Sequence, residues 1–311
     1  MPTMNAIRIE SFGGAEVLHL QQIPVPVPNP GEVLLKVHAA SVNPVDYKIR
    51  SGKYPAVRED KLPYILGRDV CGIVEASRSS KFAVGDSLYG VPGIERGGYA
   101  QYVILKEDEA ARKPKTLDDV AAASVPLAGL TAWQGLFRYG DVKVGQRVLI
   151  HAGSGGVGHF AIQFAKAKGA HVITTVSTDH VEFALRLGAD QVINYKKQQF
   201  ETEVSDIDMV FDLIGGKTQD NSWSVLKKGG ILVSTLTAPS PEKAAQFGVR
   251  GTRFTVTETG SELAEIADLI DAGKVRPKVS DTFALKDAAL AQQLIEEGHT
   301  EGKIVLTVDQ V

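Results

Sequence analysis

The chain has 311 residues, a formal net charge of −3 and hydrophobic residues at 43% of its positions. This length predicts two domains, and because there is no basic excess we expect neither a nucleic acid nor a membrane surface as a partner. The single cysteine excludes an intrachain disulfide. The N-terminal sequence lacks a secretory-signal pattern and the apolar runs are too short to span a membrane, so a cytoplasmic protein is expected.

Residues 1–122 consist of short β-like runs separated by proline and glycine. The alternation of Val33, Leu35 and Val37 is typical of a strand with one face in a core, and it predicts an antiparallel or barrel-like domain. The proline-rich residues 24–30 are unsuited to a central strand, so they are expected to form an extended connector.

Strands alternate with helices in residues 123–257, which predicts βαβ units and a parallel, doubly wound sheet. Residues 258–311 contain an amphipathic helix over 260–272 and then a β-like tail that is expected to return to the first domain. The predicted fold class is therefore α/β, with a β-rich domain and a nucleotide-binding domain. Ligands are expected in the cleft between two such domains.

A glycine motif follows the apolar strand 148–150 and precedes an apolar helix face. Gly153, Gly155 and Gly158 stand in GxGxxG register, in the strand, turn and helix context that the motif requires. The first glycine permits the tight turn, the second lets a pyrophosphate approach the backbone, and the third lets helix and strand pack closely. The alternative is that these glycines form an ordinary flexible loop between a strand and a helix. The residues expected to bind the phosphates are Gly153, Ser154, Gly155, Gly156, Val157 and Gly158.

Eight sequence runs, taken in order and spacing, resemble one family along almost the whole chain. They are SVNPVDYKIRSG (41–52), LGRDVCGIV (66–74), VGDSLYG (84–90), GGYAQYV (97–103), PLAGLTAW (126–133), HAGSGGVG (151–158), LGADQVINY (187–195) and HTEGKIVL (299–306). The chain is similar to the medium-chain dehydrogenase/reductase superfamily, in its zinc-independent quinone and enone reductase branch. The resemblance implies a GroES-like catalytic domain in residues 1–122 and 258–311, a Rossmann domain in residues 123–257, NADPH as cofactor and a homodimer.

Zinc relatives in this superfamily hold the catalytic metal with a cysteine and a histidine, and the equivalent positions here resemble Asn43 and Arg68. Neither side chain suits a zinc site, and Cys71 lies in an apolar run that predicts a buried, inert thiol. No metal is therefore expected. A metal-free site favours quinones and α,β-unsaturated carbonyls over simple alcohols, because the charge that develops during reduction is delocalised onto a distant oxygen.

The predicted strand 171–177 ends without the acidic residue that NAD enzymes commonly place there for the ribose hydroxyls. This end leaves room for a 2′-phosphate, to which Ser177 and Thr178 could donate hydrogen bonds, and Tyr195 resembles a family tyrosine that packs beside that phosphate. His180 stands where the family often has a lysine. The alternative is that Ser177 and Thr178 cap the next helix. We expect NADPH rather than NADH.

The family resemblance places Asn43, Tyr47 and Lys48 near the nicotinamide or the substrate. Tyr47 or Lys48 could donate a proton to the developing enolate, and Asn43 is expected to face the cleft without a packing role. The alternative is an ion pair between Asp46 and Arg50 on the surface of a helix, with Lys48 solvated.

Four further residues are expected beside the cofactor. Thr131 resembles a family threonine near the nicotinamide, although it could instead bond its own helix backbone. Ile214, Gly215 and Leu236 follow two predicted strands, at the sheet edge where ligands bind in such folds. The resemblance implies that the segment EGKIVL returns to the cofactor cleft, but Lys303 itself is expected to be exposed to solvent.

The leading hypothesis is an NADPH-dependent reductase of quinones or activated alkenes. A catalytically weak protein that binds and senses NADPH is the alternative. A methyltransferase would also use a glycine turn, but the missing acid after the second strand argues against it.

Overall fold

The computed structural model describes residues 2–298 and 300–308. Its strands are β1 Thr3–Ile9, β2 His19–Pro24, β3 Glu32–Val42, β4 Tyr64–Ile65, β5 Val70–Ser77, β6 Ser87–Gly90, β7 Tyr102–Lys106, β8 Ala110–Arg112, β9 Arg147–His151, β10 His171–Val176, β11 Gln191–Asn194, β12 Ile207–Asp212, β13 Leu226–Ser234, β14 Arg250–Arg253, β15 Val279–Ala284 and β16 Lys303–Thr307. Its α-helices are α1 Pro44–Arg50, α2 Asp119–Ala123, α3 Pro126–Trp133, α4 Gly158–Ala167, α5 Val181–Arg186, α6 Phe200–Glu203, α7 Gly216–Ser222, α8 Pro241–Phe247, α9 Gly260–Asp271 and α10 Ala288–Glu296. His299, the first residue of the run 299–306, lies outside the described residues.

The chain divides into two compact units. The first contains the described residues of Met1–Leu127, Glu258–Gly273 and Pro277–Val311, and the second contains Ala128–Thr257 and Lys274–Arg276. The sequence boundary at residues 122 and 123 therefore differs from the change of unit after Leu127. One reason is that the backbone N–H of Leu127 donates a hydrogen bond to Asp69 of the first unit, at 2.6 Å.

The first unit is built on β3, its eleven-residue central strand. β3 pairs antiparallel with β5, β7 and β16, and β16 in turn pairs with β15. Val33, Leu35 and Val37 are fully buried, which confirms the core face expected from their alternation. Residues 25–29 form neither helix nor strand, as the proline-rich connector requires. The unit confirms the predicted GroES-like β domain.

The second unit contains a six-stranded parallel sheet in the order β11-β10-β9-β12-β13-β14. This is the strand order of a doubly wound dinucleotide-binding fold, in which the order reverses beside the first strand. Val148, Leu149 and Ile150 of β9 are fully buried, because a central parallel strand is covered on both faces. The predicted Rossmann domain is confirmed. Among the described residues, no helix is both long and apolar enough to cross a membrane.

Candidate functional site

The glycine turn, residues 152–158, joins β9 to α4, and two of its glycines have no room for a side chain. A Cβ atom at Gly158 would lie 2.1 Å from the carbonyl oxygen of Ala152, and one at Gly153 would lie 2.0 Å from Oγ1 of Thr174. Neither position can hold a side chain without moving its neighbours. The predicted roles of these two glycines in tight turning and close helix packing therefore have a direct steric cause.

Gly155 differs from the other two motif glycines. A Cβ atom there would meet only the Ala152 carbonyl oxygen within 4 Å, at 3.4 Å. Ser154, Gly155, Gly156 and Val157 are all partly exposed, and they lead directly into the N-terminus of the ten-residue helix α4. The turn thus presents open backbone at the helix end that favours an anion.

The ends of β10 and β11 are held together beside this turn. The backbone N–H of Tyr195 donates to the carbonyl of Val176 at 3.1 Å, and Asn194 Nδ2 donates to Oγ1 of Thr178 at 3.0 Å. Ser177 occupies the N-cap position of a short 3-10 turn, but its side chain makes no capping hydrogen bond. The alternative reading of Ser177 as a helix cap is therefore wrong, and Thr178 bonds to Asn194 instead.

A lysine and a histidine lie close to the end of β10. The Tyr195 ring is 53% exposed, and the Nζ atom of Lys196 lies 5.4 Å from its centre. His180 is half-buried on the 3-10 turn that follows β10, whereas Asp179 points to the surface. Sequence reasoning missed Lys196, although its place directly after Tyr195 was a usable signal.

A buried carboxylate shapes the loop after β12. Asp212 accepts hydrogen bonds from the backbone N–H groups of Ile214 at 3.0 Å and Gly215 at 2.8 Å, and from Oγ of Ser234 at 3.0 Å. Ile214 and Leu236 remain 51% and 39% exposed, and Gly215 has a φ of 75°. Two exposed apolar side chains at the carboxyl edge of the sheet suit a flat organic ring.

One buried histidine, at the end of β9, serves the fold. His151 is buried, with hydrogen bonds of 3.0 Å from Nδ1 to Oγ1 of Thr175 and from Nε2 to Oγ of Ser222. Burial lowers the pKa of His151 to about 4, although the charge of Asp212 opposes this shift. Thr131 lies in α3, is half-buried and is engaged in an interaction with its surroundings.

The first unit contains a second polar cluster, which we name the Lys303 network. Its members are Ser41, Asn43, Asp46, Asp69, Tyr99 and Lys303, and all are buried. Lys303 is 2% exposed, so the expectation that it faces solvent is wrong. The cause is the pairing of β16 with β3, which sets Ile304 opposite Val42 and carries Lys303 to the end of β3.

Asn43 is tied into this network by its backbone and its amide. Its backbone N–H donates to Asp46 Oδ2 at 2.8 Å, and its Nδ2 donates to Asp69 Oδ2 at 2.7 Å. Lys303 Nζ donates to Asn43 Oδ1. The expectation that Asn43 has no packing role is therefore wrong.

Asp46 and Arg50 are both buried, and each has other partners. Asp46 accepts from the Tyr99 hydroxyl at 3.1 Å, whereas Arg50 donates to Gln292 at 2.9 Å and to Glu296 at 2.8 Å. The alternative of an ion pair between Asp46 and Arg50 on the surface of the helix is therefore wrong. Burial raises the pKa of Asp46 to about 6, and the nearby charge of Asp69 raises it further, against the hydrogen bond from Asn43.

Tyr47 and Lys48 lie on α1 with half-buried side chains. Burial raises the pKa of the Tyr47 phenol, and the charge of Glu296 adds to the shift. The phenol is therefore protonated at neutral pH and can donate a hydrogen bond.

The residues at the zinc-equivalent positions do not fit a zinc ion. Asn43 holds an ammonium group, and the guanidinium of Arg68 forms an ion pair with Glu258. Cys71 is fully buried as predicted, and burial raises the pKa of its thiol well above the usual range. No group of three or more histidine, cysteine, aspartate or glutamate side chains among residues 2–298 and 300–308 is arranged to hold a metal.

Comparison with known proteins supports this architecture. Residues 29–115 match the family described as alcohol dehydrogenase GroES-like domain, and residues 187–306 match the family described as zinc-binding dehydrogenase. The solved structure of the quinone oxidoreductase from Coxiella burnetii is similar, with a TM-score of 0.93 and 39% identity, and the match covers 99% of this chain and 100% of that one.

Two curated relatives match along most of their length. The protein named NAD(P)H oxidoreductase RTN4IP1, mitochondrial, from Mus musculus is 35% identical, over 98% of this chain and 89% of its own. The protein named NADPH-dependent alkenal/one oxidoreductase, chloroplastic, from Arabidopsis thaliana is 37% identical, over 97% of this chain and 79% of its own. The chain thus belongs to the medium-chain dehydrogenase/reductase superfamily, in its quinone oxidoreductase branch.

Proposed function

We propose that this protein reduces quinones or α,β-unsaturated carbonyls with NADPH and without a metal. The observation that carries the proposal is the edge of the parallel sheet, where an open glycine turn adjoins a strand end without an acid. The names of the relatives, which include quinone and alkenal/one oxidoreductases, support the same substrate class.

The residues of the second unit fit a dinucleotide. The backbone from Gly153 to Gly158 would hold the pyrophosphate, because it leads into the N-terminus of α4, the end of a helix that favours an anion. The 2′-phosphate would be bound at the β10 end by Ser177, Thr178, His180, Tyr195 and Lys196. The nicotinamide side would be bordered by Thr131, Ile214, Gly215 and Leu236.

Bound NADPH would supply the hydride that the conjugated carbon receives. The chain must then stabilise the negative charge that collects on the carbonyl oxygen. Tyr47 is the best donor, since its half-buried phenol has a raised pKa and keeps its proton at neutral pH. Lys48 on the same helix is a second donor, and Asn43 contributes through the packing of α1.

A turnover screen tests the proposal. NADPH oxidation would be followed with 1,4-quinones, alkyl enones and aliphatic aldehydes, and we expect turnover of the first two classes that survives removal of metals by a chelator. Efficient oxidation of simple alcohols that depends on zinc would overturn it. Binding of NADPH without turnover of any conjugated substrate would instead favour the sensor hypothesis.

The donor assignment has its own test. Tyr47→Phe should lower kcat/KM about tenfold or more while leaving the Kd for NADPH unchanged, because only the proton donor is removed. Tyr102→Phe, in β7 of the same unit, is the matched control. Full activity of Tyr47→Phe would transfer the role to Lys48.

The cofactor preference is tested at the end of β10. Ser177→Asp places an acid that repels the 2′-phosphate and accepts the ribose hydroxyls, so the preference for NADPH over NADH should fall about tenfold or more. Ser224→Asp, at an exposed position of the same unit, is the control. An unchanged ratio of the two Kd values would contradict the assigned 2′-phosphate site.

Two further expectations stay predictions. Homodimer formation follows from the family resemblance and is checked by light scattering. The cytoplasmic assignment does not fit easily with the mitochondrial name of the mouse relative, and fractionation of the cells that make the protein would decide it.

A further inference from the structure

The ammonium group of Lys303 is saturated by oxygens of the first unit. Its Nζ donates to the carbonyl of Val42 at 3.0 Å, to Asp69 Oδ2 at 3.4 Å and to Asn43 Oδ1. A lysine ammonium has three N–H donors, so the three acceptors account for all of them. Lys303 has no donor left for a substrate, and it is 2% exposed.

The oxygen and the nitrogen of the Asn43 side-chain amide are also both hydrogen-bonded. Its oxygen accepts from Lys303, and its nitrogen donates to Asp69 at 2.7 Å and to the Ser41 carbonyl at 3.4 Å. Turning the amide over would set its NH₂ group against the ammonium and its oxygen against the carboxylate. The orientation is therefore imposed by Lys303 and Asp69 together.

This fixed amide stands at the start of α1. Asn43 directly precedes Pro44, the first residue of α1, and its backbone N–H is bonded to Asp46 in the first turn of that helix. Asp46 in turn accepts from Gly67 N at 3.3 Å and from the Tyr99 hydroxyl at 3.1 Å. Tyr47 is the next residue, so its position depends on how this first turn is held.

We infer that Lys303 is a positioning residue for the reduction: its buried ammonium fixes the Asn43 amide and the first turn of α1, and thereby the Tyr47 phenol. The inference rests on the proposed function for its kinetic readout. It gives Lys303 and Asn43 a role that acts through Tyr47 and not on the substrate.

The charge of Asp69 must be separated from the positioning effect. Lys303→Met alone leaves a buried carboxylate without its cation and is expected to impair folding. The double variant Lys303→Met/Asp69→Asn removes both charges and retains an amide oxygen to accept from Asn43. Lys286→Met, at an exposed position of the same unit, is the control.

We expect the double variant to have the melting temperature of the wild type and the same Kd for NADPH. Its kcat should be about tenfold lower or more, because the proton donor is misplaced. Wild-type kcat in the folded double variant would overturn the inference, since Lys303 would then only balance the charge of Asp69. A kcat loss that merely follows a lower melting temperature would overturn it as well.

Chemical rescue decides the matter if the double variant does not fold. Lys303→Ala is refolded in the presence of increasing ethylammonium, which can supply the missing cation during folding, with tetramethylammonium at the same ionic strength as control. Saturable recovery of kcat supports the inference. Recovery of the melting temperature without kcat, or recovery of neither, overturns it.

A turnover-free readout separates this inference from the proposed function. Nitration of Tyr47 by tetranitromethane, followed by mass spectrometry, should be about threefold faster or more in the double variant, because the first turn of α1 is released. A wild type without any turnover would defeat the proposed function. An unchanged nitration rate would defeat the inference alone.

Discussion

The Lys303 network and the glycine turn differ in whether their polar groups are bonded within the protein or exposed to solvent. In the network, Lys303, Asn43 and Asp69 satisfy one another within the protein and are sealed from solvent. At the glycine turn, residues 154–157 remain partly exposed next to a helix N-terminus. The charged side chains of the Lys303 network therefore hold the start of α1 in place. The exposed backbone of the glycine turn, which carries no charged side chain, is suited to binding an anionic ligand.

The largest expected effect comes from adding one methyl group to the turn. Gly158→Ala should reduce the free energy of unfolding by about 3 kcal/mol or more, because its Cβ would lie 2.1 Å from the Ala152 carbonyl oxygen. Urea unfolding followed by circular dichroism measures this loss.

Gly155→Ala is the matched control in the same turn. Its Cβ has room beside the protein, so stability should change by less than about 1 kcal/mol, while the Kd for NADPH rises about tenfold or more. Equal destabilisation by the two substitutions would show that Gly155 is as structural as Gly158.

His151 gives the second unit a sensitivity to acid. Its folded pKa of about 4 lies below the ordinary histidine value of 6.5, so its stabilising contribution is present above pH 6.5 and is lost as the pH falls towards 4. Relative to His151→Gln, which can still bond Thr175 and Ser222, the wild type should lose about 3 kcal/mol between pH 7 and pH 4. Asp212 is the charged group that faces His151.

Urea titrations of both proteins at each pH measure this difference. A difference in unfolding free energy that stays level from pH 7 to pH 4 would mean that the imidazole is protonated in the folded protein. It would also contradict the neutral hydrogen bonds assigned to His151.

Asp46 should give the first unit the opposite pH dependence, with a stability that falls as the pH rises. Its folded pKa of about 6 lies above the ordinary aspartate value of 3.8, so its contribution is present below pH 3.8 and is lost as the pH rises through 6. Relative to Asp46→Asn, the wild type should lose about 2 kcal/mol between pH 4 and pH 7. The charged and titratable groups facing it are Asp69, Lys303 and Tyr99.

The same urea titrations, carried out on Asp46→Asn, test this sign. If the wild type instead gains stability over Asp46→Asn as the pH rises, the carboxylate is ionised in the folded state and the burial argument fails. Opposite slopes for His151 and Asp46 would confirm that the two units bury polar groups of opposite protonation.

Local features of the fold could be predicted and distant pairings could not. The spacing of Gly153, Gly155 and Gly158 indicated the turn because its steric demands lie within a few consecutive residues. The burial of Lys303 depends on strand pairing between residues 260 positions apart in the sequence, and a hydrophilic residue in EGKIVL gives no sign of that. Asn43 was placed near the site, but its saturation by Lys303 and Asp69 has the same distant origin.

The smallest effect is expected at Cys71, which tests whether the sealed character of the first unit extends beyond the network. Its thiol is fully buried and lies 3.6 Å from Asp119 Oδ1, and burial together with that negative charge raises its pKa. Cys71→Ala should change the free energy of unfolding by about 1 kcal/mol and leave kcat unchanged, because the thiol is small and its hydrogen bond to Asp119 is weak. The native thiol should resist an aromatic disulfide reagent until urea is added. Rapid labelling of the native protein would show that this strand opens to solvent, and the contrast between a closed first unit and an open sheet edge would then hold for the Lys303 network alone.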